Sequence, residues 1–141
     1  MKVSTSPGQS AAFGAAEIFP AGCPSRTVLD HVSSKWGVLI LVALSNGPLR
    51  WSELRRRAEG ISEKMLAQTL KTLEGDGFIC RDAQPVIPPR VDYSLTGRGQ
   101  ELVALLLPLV TWIAENATES LQTGHQAEAA PAAPRTGTRA R

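Results

Sequence analysis

The stretch GISEKMLAQTLKTLEGDGFICRD, residues 60–82, predicts a helix that begins at a serine and ends at glycines just before a strand. Ser62 is a favoured N-cap residue, and Gly75 and Gly77 are suited to ending the helix. Spacings of about three and four residues form an apolar stripe, made of Ile61, Leu66, Leu70 and Leu73. At about 100° per residue, the opposite side carries Lys64, Gln68, Lys71 and Gly75. The helix is therefore anchored by leucines and presents lysines and an amide outward.

The composition of the whole chain predicts one soluble domain with two tails. It has 141 residues, of which 43% are hydrophobic, and a formal net charge of +2. This charge neither demands nor excludes a polyanionic partner, so the distribution of charge must decide. No apolar run approaches the roughly 18 residues of a membrane span, and no signal peptide pattern opens the chain. We therefore expect a cytoplasmic protein with no membrane partner.

Three segments are predicted from composition and from turn signals: a flexible extension over residues 1–22, a folded domain over 23–122 and a disordered tail over 123–141. Within the domain, Pro24 suits the first turn of a helix that ends near Ser33. A second helix, GVLILVALSNGPL, is apolar nearly all round, as expected of a buried helix. A third helix follows, with Ser52 as its expected N-cap.

Two strands and a long helix complete the predicted domain. FICRD and VDYSL read as the two strands of a hairpin, joined by the proline-rich segment AQPVIPP. A fold that is mainly α with a small antiparallel β-hairpin, in this order, is a winged helix-turn-helix, whose second motif helix lies in the DNA major groove. Taken alone, lysines on one side of a helix usually mark only a solvated face. The order of elements favours double-stranded DNA as the partner.

Side chains suited to DNA lie on the elements that would face it. Gln68 and Thr69 have the length and chemistry to reach base edges, and Lys64 and Lys71 can reach phosphate or guanine. The helix N-terminus favours phosphate through its free amides and dipole. The complete set of predicted DNA-binding residues is Arg50, Ser62, Glu63, Lys64, Gln68, Thr69, Lys71 and Arg90.

The last predicted helix, TGRGQELVALLLPLVTWIAENATESL, is capped by Thr96 and carries apolar side chains over more than half its circumference. Such a helix cannot bury its surface against one small domain, so we expect part of it to pack on a second subunit. The predicted dimer contacts are Val28, Leu105, Leu109, Trp112 and Ile113.

Four segments, in order, resemble the HxlR-type transcriptional regulators, which are bacterial relatives of the MarR group. They are CP before the first helix, KWGVLILVAL, GPLRWSELRRRAEGISEKMLAQTLKTLEGDGFICRD and PPRVDYSLTGRGQEL. The resemblance implies a homodimer that binds an inverted-repeat operator, dimerises through its terminal helices and has no enzymatic activity. It places the recognition helix at residues 62–71 and the wing at 84–90, which makes Arg90 a candidate for a minor-groove or backbone contact.

The two cysteines are expected to differ. Cys23 precedes Pro24 at a helix N-terminus, which favours negative charge, and the thiolate is the reactive form of cysteine. Some HxlR-type regulators sense oxidants or electrophiles at this position, so the resemblance implies redox sensing by Cys23; an unreactive cysteine kept for packing is the alternative. Cys80 is expected to be a buried small apolar residue. A second mechanism is a small-molecule effector bound at the dimer interface near Trp36 and Trp112.

Other classes of function have less support in the sequence. No nucleophile motif, phosphate-binding glycine loop or paired-carboxylate site is evident, so we expect no enzyme and no cofactor. Two cysteines and His31 offer no plausible metal site. RNA is disfavoured because the strands lack an aromatic stacking platform. The main rival is a winged helix that serves only as a protein-interaction module, without specific DNA binding, because the fold does not fix the partner.

Overall fold

The computed structural model describes residues 18–129, and side chains as far as residue 124. We label its elements in chain order. They are α1 (Pro24–Ser33), α2 (Lys35–Ala43), β1 (Leu49–Arg50), α3 (Trp51–Arg57), α4 (Glu63–Gly75), β2 (Ile79–Gln84), β3 (Arg90–Leu95) and α5 (Gly97–Ala129), with a short 3-10 turn at Leu44–Asn46 after α2. The predicted class, mainly α with a small antiparallel β-hairpin, is confirmed.

Helix α2 lies at the centre of the first of two compact units, which ends at Gln100. It packs against α1, α3 and α4. Because α2 has neighbours on several sides, Ile40 and Leu41 are fully buried. Leu39 is exposed, so the predicted burial nearly all round is met only in part. The fully buried large side chains of this core are Ile40, Leu41, Leu44, Leu54, Leu66, Leu73 and Ile79.

The start of α3 differs from the sequence expectation. Ser52 was expected to cap this helix, but the N-cap is Arg50 and Ser52 lies inside the first turn. The backbone N–H of Arg50 donates a hydrogen bond to the carboxylate of Glu53 at 2.9 Å, so a side chain one turn into the helix closes its N-terminus. Since Arg50 also ends strand β1, the strand sets the point at which α3 begins.

The sheet has three antiparallel strands in the order β1-β3-β2, one more than the predicted hairpin. Strand β1 pairs Leu49 with Tyr93 and Arg50 with Asp92. Strands β2 and β3 pair from Ile79 opposite Leu95 to Gln84 opposite Arg90. The last pair therefore closes the base of the wing, and residues 85–89 form the loop that projects beyond it.

Helix α5 begins after Thr96, whose hydroxyl oxygen accepts from the Gly99 N–H at 3.0 Å, as a cap should. The same hydroxyl donates to the carbonyl oxygen of Gly77 at 2.6 Å. The helix contains Pro108 and continues to Ala129, past residue 122, where the domain was predicted to end. The predicted extension over 1–22 lies mostly outside the described residues, as does the end of the predicted tail. These domain boundaries stay predictions.

The second compact unit begins at Glu101, and its described part is the rest of α5. Val103 and Leu106 are buried and Leu102 and Val110 are partly buried. The exposed large apolar side chains of this part are Leu105, Leu107, Leu109, Trp112, Ile113 and Leu121. By length and composition alone, residues Gly97–Gly124 could also cross a membrane. The segments Pro24–Ser33 and Lys35–Asn46 together pass the same test as a bent pair. The expected absence of a membrane partner thus stays a prediction.

Candidate nucleic-acid interface

Helix α4 buries its leucine stripe and exposes the opposite side. Leu66, Leu70 and Leu73 are buried, as is Ile61 just before the helix. The side chains predicted to lie outward, Lys64, Gln68 and Lys71, are all exposed. Because the core fixes the leucine side, the rotation of the helix and the direction of its polar side are fixed with it.

The N-terminus of α4 is closed by Ser62, whose side-chain oxygen accepts from the Met65 N–H at 3.0 Å. The carboxylate of Glu63, at the first helical position, accepts from Arg55 Nη1 of α3 at 3.1 Å. Both side chains of this ion pair are solvent-exposed, so the pair adds little stability. The ion pair matters for electrostatics instead. Arg55 offsets the negative charge of Glu63 at the helix N-terminus, which is where a phosphate group would bind.

Basic side chains surround this helix end. An open cleft of about 530 Å³ lies at the junction of α3 and α4 and is lined by Trp51, Ser52, Arg55, Arg56 and Glu63. Arg50, Arg56 and Arg57 are exposed as well. The arginines of α3 therefore concentrate positive charge beside the helix N-terminus, in a chain that is nearly neutral overall.

A second cleft, of about 210 Å³, runs beside Gln68 and Thr69. Its lining residues are Asp30, His31, Ser34, Met65, Gln68, Thr69, Thr72 and Leu73. Gln68 is exposed but Thr69 is only partly so. Of the two residues predicted to read bases, Gln68 is thus the more accessible.

His31 ties α1 to the end of α4, a link that no sequence pattern indicated. Its Nδ1 lies 2.7 Å from a carboxylate oxygen of Asp76, the C-cap residue of α4. Both side chains are partly buried. In the sequence His31 could be weighed only as a metal ligand or catalytic base, because its partner lies 45 residues away. Among the residues that the structure describes, no group of three His, Cys, Asp or Glu side chains is placed to hold a metal ion.

The wing carries its charges on the stem. Arg90 Nε donates to Asp92 Oδ1 at 3.3 Å, and Gln84 Nε2 donates to Asp82 Oδ2 at 2.9 Å. Arg90 is the first residue of β3 and pairs with Gln84, directly where the loop ends and the strand begins. The predicted wing residue Arg90 is therefore oriented by Asp92 while remaining exposed.

The two cysteines occupy different surroundings. Cys23 is the N-cap residue of α1 and is partly exposed, and its carbonyl oxygen accepts from the Arg26 and Thr27 N–H groups at 3.1 and 3.4 Å. Cys80 was expected to be buried, and this is wrong. It is exposed, with Sγ 3.1 Å from Ser94 Oγ. Ile79 occupies the core side of β2, so the next residue faces the other way.

The residues predicted for a dimer contact are all exposed in the single chain. Leu105 and Trp112 are 74% and 58% exposed, and Leu109 and Ile113 about half. Val28 of α1 is less so. Large apolar side chains that stay in water along one helix are typical of a surface that another protein chain covers.

Comparison with known proteins agrees with this geometry. The profile of the HxlR-like helix-turn-helix family matches residues 31–121. The HTH-type transcriptional regulator YtfH of Escherichia coli K12 is 55% identical over 104 residues, which cover 74% of this chain and 82% of that protein.

Solved structures are similar over most of their length. A transcriptional regulator YtfH from Salmonella typhimurium has a TM-score of 0.72 at 50% identity, covering 79% of this chain and 99% of that one. The redox regulator HypR in its oxidised form has a TM-score of 0.62 at 34% identity, covering 67% and 97%. Diamide-treated YodB from Bacillus subtilis has 0.57 at 32%, covering 68% and 96%. The matched part of the chain contains the capped helix α4, the arginines of α3 and the wing, and the chain belongs to the HxlR-like helix-turn-helix family of transcriptional regulators.

Proposed function

We propose that this regulator acts as a homodimer that binds an inverted-repeat operator in double-stranded DNA. The observation that carries the proposal is the exposed polar side of α4, which is held in place by a buried leucine stripe. A helix fixed in this way can enter a major groove with a defined set of side chains towards the bases. We further propose that it acts in the cytoplasm and has no catalytic role.

Individual roles follow from exposure and chemistry. Gln68 would hydrogen-bond a base edge, since its amide can pair with adenine. Lys64 and Lys71 would contact phosphate or guanine, and Arg50 and Arg90 the DNA backbone or minor groove. Ser62 would position the helix end through its cap, while Glu63 is held by Arg55. Thr69 would add a contact from the edge of the cleft.

Dimerisation is proposed to use the exposed apolar residues of α5, together with Val28. Two copies would bury Leu105, Leu109, Trp112 and Ile113. This burial stabilises the dimer by about 25 cal/mol per Å² of apolar surface removed from water. A two-fold dimer would then present its recognition helices to half-sites about one DNA turn apart, which is why the operator would be an inverted repeat.

Cys23 is proposed to be a redox switch. Two redox regulators, HypR and YodB, are among the proteins of similar structure. In the proposed step, the Cys23 thiols of two protomers lose two protons and two electrons to a two-electron oxidant such as diamide, and one S–S bond forms. Reaction of the thiolate with an electrophile is the related route. Either change would alter the spacing of the recognition helices and therefore DNA affinity.

Two alternatives are carried as outcomes of the same experiment. One is a small-molecule effector bound at the dimer interface. The other is a protein-interaction module without specific DNA binding, which the exposed apolar side chains of α5 also suit.

The test is to select binding sites for the full chain from random double-stranded DNA and to measure affinity by fluorescence anisotropy at two salt concentrations. We expect an inverted repeat to emerge and binding to weaken steeply with salt. Gln68→Ala should lose most of the site preference. Weak, sequence-blind binding by the wild type would overturn the proposal in favour of the protein-interaction module, or of a protein that binds its site only with a small-molecule effector present.

The redox part has its own control. Diamide should change the affinity of wild type for the selected site and leave Cys23→Ser unaffected. Cys80→Ser, which removes the other exposed thiol, should respond as wild type does. If Cys23→Ser still responds, Cys23 is not the switch.

A further inference from the structure

The tip of the wing is apolar and stiff. Ile87 is 99% exposed, and its neighbour Val86 is 49% exposed. Pro85, Pro88 and Pro89 surround them, and each proline fixes its own backbone φ angle. Covering a large apolar side chain that is fully exposed to water lowers the free energy of the system. Because the loop is already restricted, little conformational entropy is lost when it docks.

The charges around the tip favour DNA as the surface that covers it. From Ala83 to Val91 the loop and its base contain no acidic residue, and Arg90 closes the loop. The nearest carboxylates, Asp82 and Asp92, lie opposite each other further down the stem and accept hydrogen bonds from Gln84 and Arg90. The tip can therefore approach a phosphate-lined groove without bringing an unpaired carboxylate with it.

The shape of the tip also suits a narrow groove. The minor groove of B-DNA is about 6 Å wide, and minor-groove proteins often insert an isoleucine, leucine or proline between base steps. A stable protein partner would instead need roughly 800 Å² of contact on each side, far more than two side chains at the end of a hairpin offer.

We propose that Ile87 is an apolar wedge that enters the minor groove beside each half-site and partly unstacks a base step there. The proposal rests on the proposed DNA-binding function and adds to it a second source of specificity. Such a wedge prefers steps that unstack easily, such as TA and CA, so the flanks of the operator would be selected for deformability rather than for hydrogen bonds.

The test compares Ile87→Ala and Ile87→Leu with wild type and with Arg90→Ala, using full-length protein and the selected site. The smaller apolar side chain should weaken binding by Ile87→Ala roughly tenfold, with an unchanged dependence on salt, because the release of counterions from the DNA is the same. Arg90→Ala should also weaken binding, but with a salt slope that is smaller by about one, because one phosphate is no longer neutralised. Ile87→Leu should bind as wild type does.

A direct readout uses 2-aminopurine placed at successive A·T positions in the flanks. Fluorescence should rise at one step on binding of wild type and stay low with Ile87→Ala. Since Ile87 is exposed, Ile87→Ala and Ile87→Leu should unfold at the same urea concentration as wild type.

Wild-type affinity in Ile87→Ala, or no fluorescence change anywhere in the flanks, would overturn the wedge while leaving the regulator proposal intact. A loss of regulation in cells with unchanged DNA affinity would likewise overturn it and assign the tip to a protein partner. If wild type itself shows no specific site, the proposed function fails first.

Discussion

Gln68 and Lys64 are both exposed on α4, yet they are expected to contact different parts of the DNA. A glutamine amide can donate to and accept from one base edge, whereas an ammonium group is a point charge that serves any phosphate. Substituting each of the two side chains therefore separates recognition of specific bases from sequence-independent affinity for phosphate.

We expect Gln68→Ala to lower affinity for the selected site by about 1–3 kcal/mol while leaving the salt slope unchanged. Lys64→Ala should weaken specific and non-specific binding alike and lower the salt slope by about one. Anisotropy titrations over a range of salt, on the selected site and on a scrambled one, separate the two effects. Equal reductions of affinity on both DNAs for Gln68→Ala would contradict its role in reading bases.

For single residues, the sequence correctly predicted the features that depend only on neighbours in the same helix. The Ser62 cap and the burial of Leu66, Leu70 and Leu73 follow from spacing along one helix, and all are confirmed. The environment of Cys80 was predicted wrongly, because alternation along a strand says which residues share a side but not which side faces the core. The assignment of individual DNA contacts stays a prediction.

Among the elements, α1 and α4 are joined by the hydrogen bond between His31 and Asp76 at 2.7 Å. Because both groups are partly buried, Asp76→Ala should lower the free energy of unfolding by about 1 kcal/mol. Urea denaturation measures this change, and Glu74→Ala, at an exposed position on the same helix, is the matched control. In a double-mutant cycle with His31→Ala, additive effects would show that the bond contributes nothing.

The start of α5 lies very close to the end of the segment that follows α4. A Cβ atom at Gly99 would collide with the carbonyl oxygen of Phe78, whereas one at Gly97 would meet nothing within 4 Å. We expect Gly99→Ala to cost about 1–3 kcal/mol of stability, as overpacked sites do. Gly97→Ala, two residues earlier in the same helix, should be neutral or slightly stabilising, and thermal unfolding compares the two. Equal stability of both variants would contradict the close approach.

The order of helices and the position of the wing were predictable from caps, turn residues and apolar spacing. Strand β1 was not, because two residues are too few to show an alternating pattern. Its partners in β3 are also distant in the chain, and only the folded sheet brings them together. The shift of the α3 cap from Ser52 to Arg50 was missed for the same reason, because Arg50 ends the unpredicted strand β1.

At the scale of the whole molecule, the proposed dimer depends on the apolar residues of α5. Leu109→Lys should place a charge in the interface and shift the protein to monomers in sedimentation analysis, with a large drop in operator affinity because two half-sites are no longer bound together. Thr118→Lys is the control, since at about 100° per residue Thr118 lies on the opposite side of the same helix. A Leu109→Lys protein that remains dimeric would place the interface elsewhere.

The pairing of β1 with β3 sets an order in time for the assembly of this protein. Leu49 and Arg50 emerge from the ribosome well before Tyr93 and Asp92, with α3, α4 and β2 made in between. Local helices can form early, but a pairing between distant segments must wait for the later one and for loop closure. A nascent chain that has released α4 still lacks β3, the partner of the strand that sets the start of α3. The pairing of β1 and the wing are therefore completed together, late in synthesis.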